Sequence, residues 1–183
     1  MEHVSFHNKS DTFNNVFRDG YVFPVYGIAN GSFIYVHVSA ITFIIVSLIC
    51  AVIAITLSFR NRTYTNFFTR WTKADRLVVY MSVYDGCFNL SHLFDHVHMV
   101  VTRDHVRPKA LCAFYGFNLV LFVTAQILLV NIVAVNAFMM MFFNKNMSFG
   151  KRDWKLFIWT FLTPLTAAII AASLNQFGPN GVA

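Results

Sequence analysis

Four long stretches of this chain carry almost no charge, and nothing else constrains its fold so tightly. Residues 33 to 59, FIYVHVSAITFIIVSLICAVIAITLSF, run for 27 positions without a formal charge. Residues 110 to 143 do the same over 34 positions. Residues 156 to 174, LFIWTFLTPLTAAIIAASL, form another such run, and residues 77 to 101 form a more polar one. A helix needs about 20 apolar residues to cross the hydrocarbon core. Barrel strands take ~10 residues and alternate in polarity, which these runs do not. The sequence therefore predicts an all-α fold, a multi-pass transmembrane bundle. Its helices should lie at about 33–59, 77–101, 110–143 and 156–174, behind a tail of residues 1 to 32. Charge is scarce, at 12% of residues against roughly 25% in soluble domains.

Basic residues orient the bundle. The stretch from 60 to 76 holds Arg60, Arg62, Arg70, Lys73 and Arg76, and the stretch from 144 to 155 holds Lys145, Lys151, Arg152 and Lys155. The opposite side has Lys9, Arg18, Arg103, Arg107 and Lys109. Positive residues favour the cytosol, so the N-terminus is expected outside. The net charge of +6 reads as a topology signal, and nucleic acid is not an expected partner. Residues 1 to 32 hold Glu2, Asp11 and Asp19 and lack the apolar core of a cleavable leader. The first helix should itself direct insertion. Asn8 and Asn30 begin acceptable sequons on the outer side, which makes them glycosylation candidates. Cys50, Cys87 and Cys112 are an odd set and cannot form a disulfide framework by themselves.

The second run is where chemistry concentrates. Ser82, Asp85, Asn89, His92 and His96 are spaced 3, 4, 3 and 4, which keeps them on one helical stripe. Ser91, Asp95, His98 and Thr102 form a neighbouring one. Intramembrane ionisable groups seldom face lipid, so this side should face other helices or a water-filled cavity. Three readings follow: a hydrogen-bonded interface with a wet mouth, a ligand or ion pocket, or a metal gripped by the i, i+4 pair His92 and His96. No second constellation supplies further ligands, and no metal or cofactor is expected. In the third run Asn118 and Asn136 project from one side, Thr124 and Asn131 from another and Gln126 from a third, which suits the centre of a bundle. In the fourth, Ala167, Ala168, Ala171, Ala172 and Ser173 allow close approach, Pro164 favours a bend, and Trp154 sits at the boundary. No phosphate loop, CxxC pair or His-Glu-x-x-His helix is present, so an enzyme is not expected.

The order of these features resembles the first half of a seven-helix G-protein-coupled receptor. FRNRTYTNFF looks like the basic first intracellular loop, and LVVYMSVYDGCFN is similar to the family's second-helix pattern, with Asp85 as its acid. RPKALCAFYGF places Cys112 where the family has a third-helix cysteine, and Trp159 matches the fourth-helix tryptophan, with Pro164 a looser match. NQFGPNGVA looks like the Phe-Gly-Pro run of cyclic-AMP-receptor-like members. Two features depart from the family. Ala51 stands near its first-helix asparagine, and Asn136-Ala137-Phe138 stands where rhodopsin-class members end the third helix with an Asp/Glu-Arg-Tyr triplet.

The resemblance implies four helices of a probable seven, hence a fragment. Cys112 would pair with a cysteine of the second extracellular loop, which is missing. An extracellular ligand would be sensed near Asp85, Asn89, His92, Asp95, His96 and Asn118, with Asp85 in many relatives helping to hold a sodium ion. Arg60, Arg62, Asn136, Lys151 and Arg152 would face a heterotrimeric G protein. The alternative is a four-helix transporter or channel subunit with a His/Asp polar path in its second helix.

Overall fold

The computed structural model describes residues 20–22, 24–60 and 62–178. Among these residues all regular structure is helical, with no strand. Three continuous helices come first: α1 (Phe33–Phe59), α2 (Lys73–Thr102) and α3 (Lys109–Phe143). The fourth, α4, is composite: an α turn at Trp154–Phe157, a π segment at Ile158–Leu162 and an α-helix at Thr163–Ser173. α1 packs on α2, α2 on α3 and α3 on α4.

α1, α3 and α4 are long and apolar enough to cross a membrane. The chain is an all-α membrane protein. Its outward surface fits that solvent: Tyr35, Phe43, Val52 and Met141 are at least 61% exposed, an arrangement tolerated where lipid covers it. α2 has the length of a span, about 45 Å at 1.5 Å per residue. It falls short only in composition, because its polar stripe is turned toward its neighbours. Each apolar helix buries one narrow seam. On α1 the seam is Phe33, His37, Ile44 and Ala51; on α3 it is Leu121, Ala125 and Leu129, at i, i+4 and i+8.

Three apolar layers hold the helices. One rim, called here the tail rim, joins Val25, Phe33, Met99 and Val106. The centre joins Tyr84, Ala125, Leu129, Phe149 and Leu156. The opposite, basic rim joins Phe67, Trp71 and Val79.

Local chemistry sets the ends. α2 begins at Lys73, four residues before the apolar run. Thr72 and Asp75 form a capping box there, and a box of polar residues extends a helix that hydropathy alone truncates. In α4, Pro164 has no N–H to offer the carbonyl one turn back. The preceding turn widens instead, and the Thr163 amide bonds to Ile158 O. The bend expected at Pro164 therefore takes the form of a π segment. α3 packs on both α2 and α4, yet Asn131 is exposed.

Candidate functional site

The α2 stripe faces inward, onto α1 on one side and α3 on the other. Asp85 is its centre. Its Oδ2 accepts from Ser47 Oγ of α1 at 2.9 Å, and its Oδ1 accepts from Gln126 Nε2 of α3 at 3.3 Å. Asn89 Nδ2 donates to Ser47 Oγ at 3.1 Å and to the Asp85 carbonyl at 2.9 Å. One carboxylate thus ties three helices, with a hydroxyl and two amides around it. Bonds of this kind across membrane helices contribute ~0.6 to 2 kcal/mol each.

Nearer the tail rim the imidazoles gather. His37 of α1 is fully buried, and its Nδ1 lies 2.6 Å from His96 Nδ1. His96 Nε2 lies 3.2 Å from His92 Nε2. α1 and α2 run in opposite directions, so the pairs His37/His96 and Ser47/Asp85 are rungs of one ladder. No hydrogen bond joins the histidines to the Asp85 group among the described residues.

The other inward candidates stand apart. Asp95 is part-buried, with His98 and Cys112 as its electrostatic neighbours. Asn118 Nδ2 donates to Phe114 O of its own helix at 2.8 Å. Cys112 is a half-buried free thiol packed against the tail-rim cluster. Asn8 lies outside the described residues. Asn30 is exposed, and its Oδ1 accepts from both the amide and the hydroxyl of Ser32, just ahead of α1.

At the basic rim the structure adds a node that loop counting hides. Arg76 is buried, and it donates from Nε and Nη2 to the two oxygens of Asp153, at 2.6 and 3.0 Å. Its Nη1 donates to Trp71 O at 2.8 Å, and Tyr80 Oη donates to Asp153 Oδ2 at 3.1 Å. Asp153 reaches this position through a strained loop. Arg152 and Asp153 both have positive φ, 59° and 56°, and Gly150 precedes them at 79°. Of the candidates on this rim, Arg60, Lys151 and Arg152 are exposed. Arg62 is engaged, 2.5 Å from Asp75 and stacked over Trp71. Asn136 Oδ1 accepts from Met147 N at 3.1 Å, so it organises the α3–α4 loop. The Thr72 hydroxyl, and after it Arg62, hold the Asp75 carboxyl below the usual carboxylate range.

His37, Ser47, Arg76 and Asp153 were not among the sequence candidates. His37 had a legible signal, as the single imidazole in an otherwise chargeless run. Ser47 had none, since a lone hydroxyl can bond its own helix, as Thr42 and Thr56 do here. Among the described residues no group of three or more His, Cys, Asp or Glu is placed to hold a metal. His96 turns opposite ring nitrogens toward His37 and His92, so the three rings do not converge on one point. No protein-family model, curated protein or solved structure matches this chain.

Proposed function

We propose that this chain is the helix 1–4 part of a plasma-membrane receptor of the seven-helix, G-protein-coupled kind, with its N-terminus outside and Asn8 and Asn30 glycosylated. The observation that carries the reading is the Asp85 node, an ionisable group in mid-span that α1 and α3 both bind. A carboxylate shared by three helices is a place where two helix arrangements can differ in bonding, and a ligand shifts such a pair by its differential affinity. The ligand would reach the tail rim, near Asp95, His96 and Asn118. Exposed Arg60, Lys151 and Arg152 would meet the G protein, while Arg62 and Asn136 shape the loops that present them.

A transporter or channel subunit is the second reading, supported by the number of buried polar groups in α2. It needs a continuous path, and the described bonds fall into two separate sets. The receptor reading is therefore preferred.

The test uses the full chain in cells, with an N-terminal epitope and an energy-transfer tag near residue 151. The epitope should be reachable without permeabilisation. Energy transfer to a tagged G protein should exceed that of an unrelated membrane protein, and Asp85→Asn should change it. An epitope reachable only after permeabilisation, or transfer at background, rejects the proposal.

A further inference from the structure

We propose that His37, His96 and His92 form a binding site for a single proton at the α1–α2 seam, held as a central His96 imidazolium. The three rings lie in series. His96 spends one nitrogen on His37, at 2.6 Å, and the other on His92, at 3.2 Å. The two terminal nitrogens, His37 Nε2 and His92 Nδ1, are buried and have no hydrogen-bond partner among the described residues. Both of these atoms are closed to solvent, so bulk water does not complete the set.

Proton counting gives the capacity. A neutral imidazole has one N–H and one lone pair. Three neutral rings therefore carry three N–H groups. Two of these fill the gaps between rings, and the third sits at one end of the chain. The other end is then a bare lone pair. Both ends are buried and unbonded, which is costly. The third N–H can sit on His37 or on His92, and the two arrangements differ only in which way the protons point.

One added proton removes that ambiguity. His96 then carries N–H on both nitrogens and donates to both neighbours. Each neighbour accepts at its facing nitrogen and keeps its own N–H at the far one. Both links become charge-assisted, roughly twice as strong as neutral ones. A second added proton has no place. It would set two N–H groups against each other in one gap and put like charges on neighbouring rings, whose centroids are 4.8 and 4.4 Å apart.

The surroundings leave the charge to the imidazoles. From α1, the Phe33 ring lies 4.3 Å from that of His37. From α2, Phe88 stacks on His92, while Asp95 interacts with His98 and with Cys112 of α3. α3 also brings Tyr115, which packs on the tail-rim cluster. Beyond that cluster Tyr21 meets His105 edge to face, and Asp104 pairs with Arg107. Among the described residues no carboxylate is hydrogen-bonded to the three rings. Because one of the strengthened links joins α1 to α2, the proton acts as a ligand that clamps the tail-rim ends of these helices together. The proposal needs only the α1–α2 seam, and it goes beyond the receptor reading.

The test is nitrogen NMR of the full chain in lipid nanodiscs, with ring-labelled histidine, from about pH 8 to about pH 4. His37→Gln, His92→Gln and His96→Gln assign the signals. The expected result is nitrogen–nitrogen coupling across both gaps and uptake of one proton by the three rings together. Both His96 nitrogens should move to imidazolium positions while His37 and His92 stay neutral, and His96→Gln should abolish the uptake. If that variant does not fold, the couplings and the stoichiometry of the unmodified chain decide alone. Three independent ring titrations, no uptake in the range, or changes that require added zinc would overturn the proposal. Loss of G-protein coupling would leave the ring signals untouched, so the two readings fail separately.

Discussion

Arg76 and Asp153, 77 positions apart in sequence, bind each other side by side through two hydrogen bonds of 2.6 and 3.0 Å. The pair joins the start of α2 to the start of α4 at the basic rim. Both partners are buried, so removing one strands the other's charge. Asp153→Ala or Arg76→Leu should each destabilise the chain by about 3–5 kcal/mol. The double variant Arg76→Leu with Asp153→Leu should lose less than either single change, as followed by unfolding in lipid nanodiscs. Additive losses would show that the two side chains are not coupled.

The capping box of α2 predicts a pH response outside the membrane. Asp75 is held below its ordinary value by the Thr72 hydroxyl and then by Arg62. A depressed carboxyl contributes stability above its unfolded value of about 3.9, and that contribution disappears as pH falls through the lower folded value. Amide exchange in the first turn of α2 should therefore speed up below about pH 4. Thr72→Ala should produce the same fraying at neutral pH. A first turn equally protected across the range would contradict the assignment.

Two substitutions at Asp85 separate shape from charge. Asparagine keeps an acceptor oxygen for Ser47, so Asp85→Asn should cost less than ~1 kcal/mol of stability. Leucine leaves the Ser47 hydroxyl and the Gln126 amide without their acceptor. Asp85→Leu should cost at least ~1–3 kcal/mol. Equal losses for the two, measured by unfolding, would mean that the bonds to α1 and α3 contribute little.

Gly150 adopts φ of +79°, and an added Cβ would collide with the indole of Trp154. Gly150→Ala should therefore cost about 1–3 kcal/mol of local strain. Trp154 emission should shift as the ring is displaced. An unchanged spectrum and midpoint would show that the loop has another conformation open to it.

The helices were legible because hydropathy sums over many residues. α1 begins and ends where the apolar run does, at Phe33 and Phe59, and α3 starts one residue early, at Lys109. Hydropathy starts α2 four residues late, since Thr72 and Asp75 act through hydrogen bonds that an apolar count ignores. The inward face of α2 was legible from the spacing of Asp85, Asn89, His92 and His96. Its partners were not. Ser47 and Gln126 are single polar residues in apolar helices, and only the packing of α1 and α3 decides which turn of α2 they meet. Nothing local marks Arg76 as buried, and by position it is one more cation of the basic loop. Its acid comes from the far side of α3.

The wide turn at Ile158–Leu162 also sets which way the rest of α4 points. Upstream, Leu156 packs into the cluster around Tyr84 at 4% exposed; downstream, Ala168 is sealed in the interior at 0% exposed. A π turn holds about one residue more than an α turn, and one residue of helix corresponds to about 100° of rotation. The surplus residue therefore works as an angular offset between two surfaces of one rod. Deleting it would leave the composition of α4 almost unchanged while swinging Ala168 and Ala171 off their present bearing.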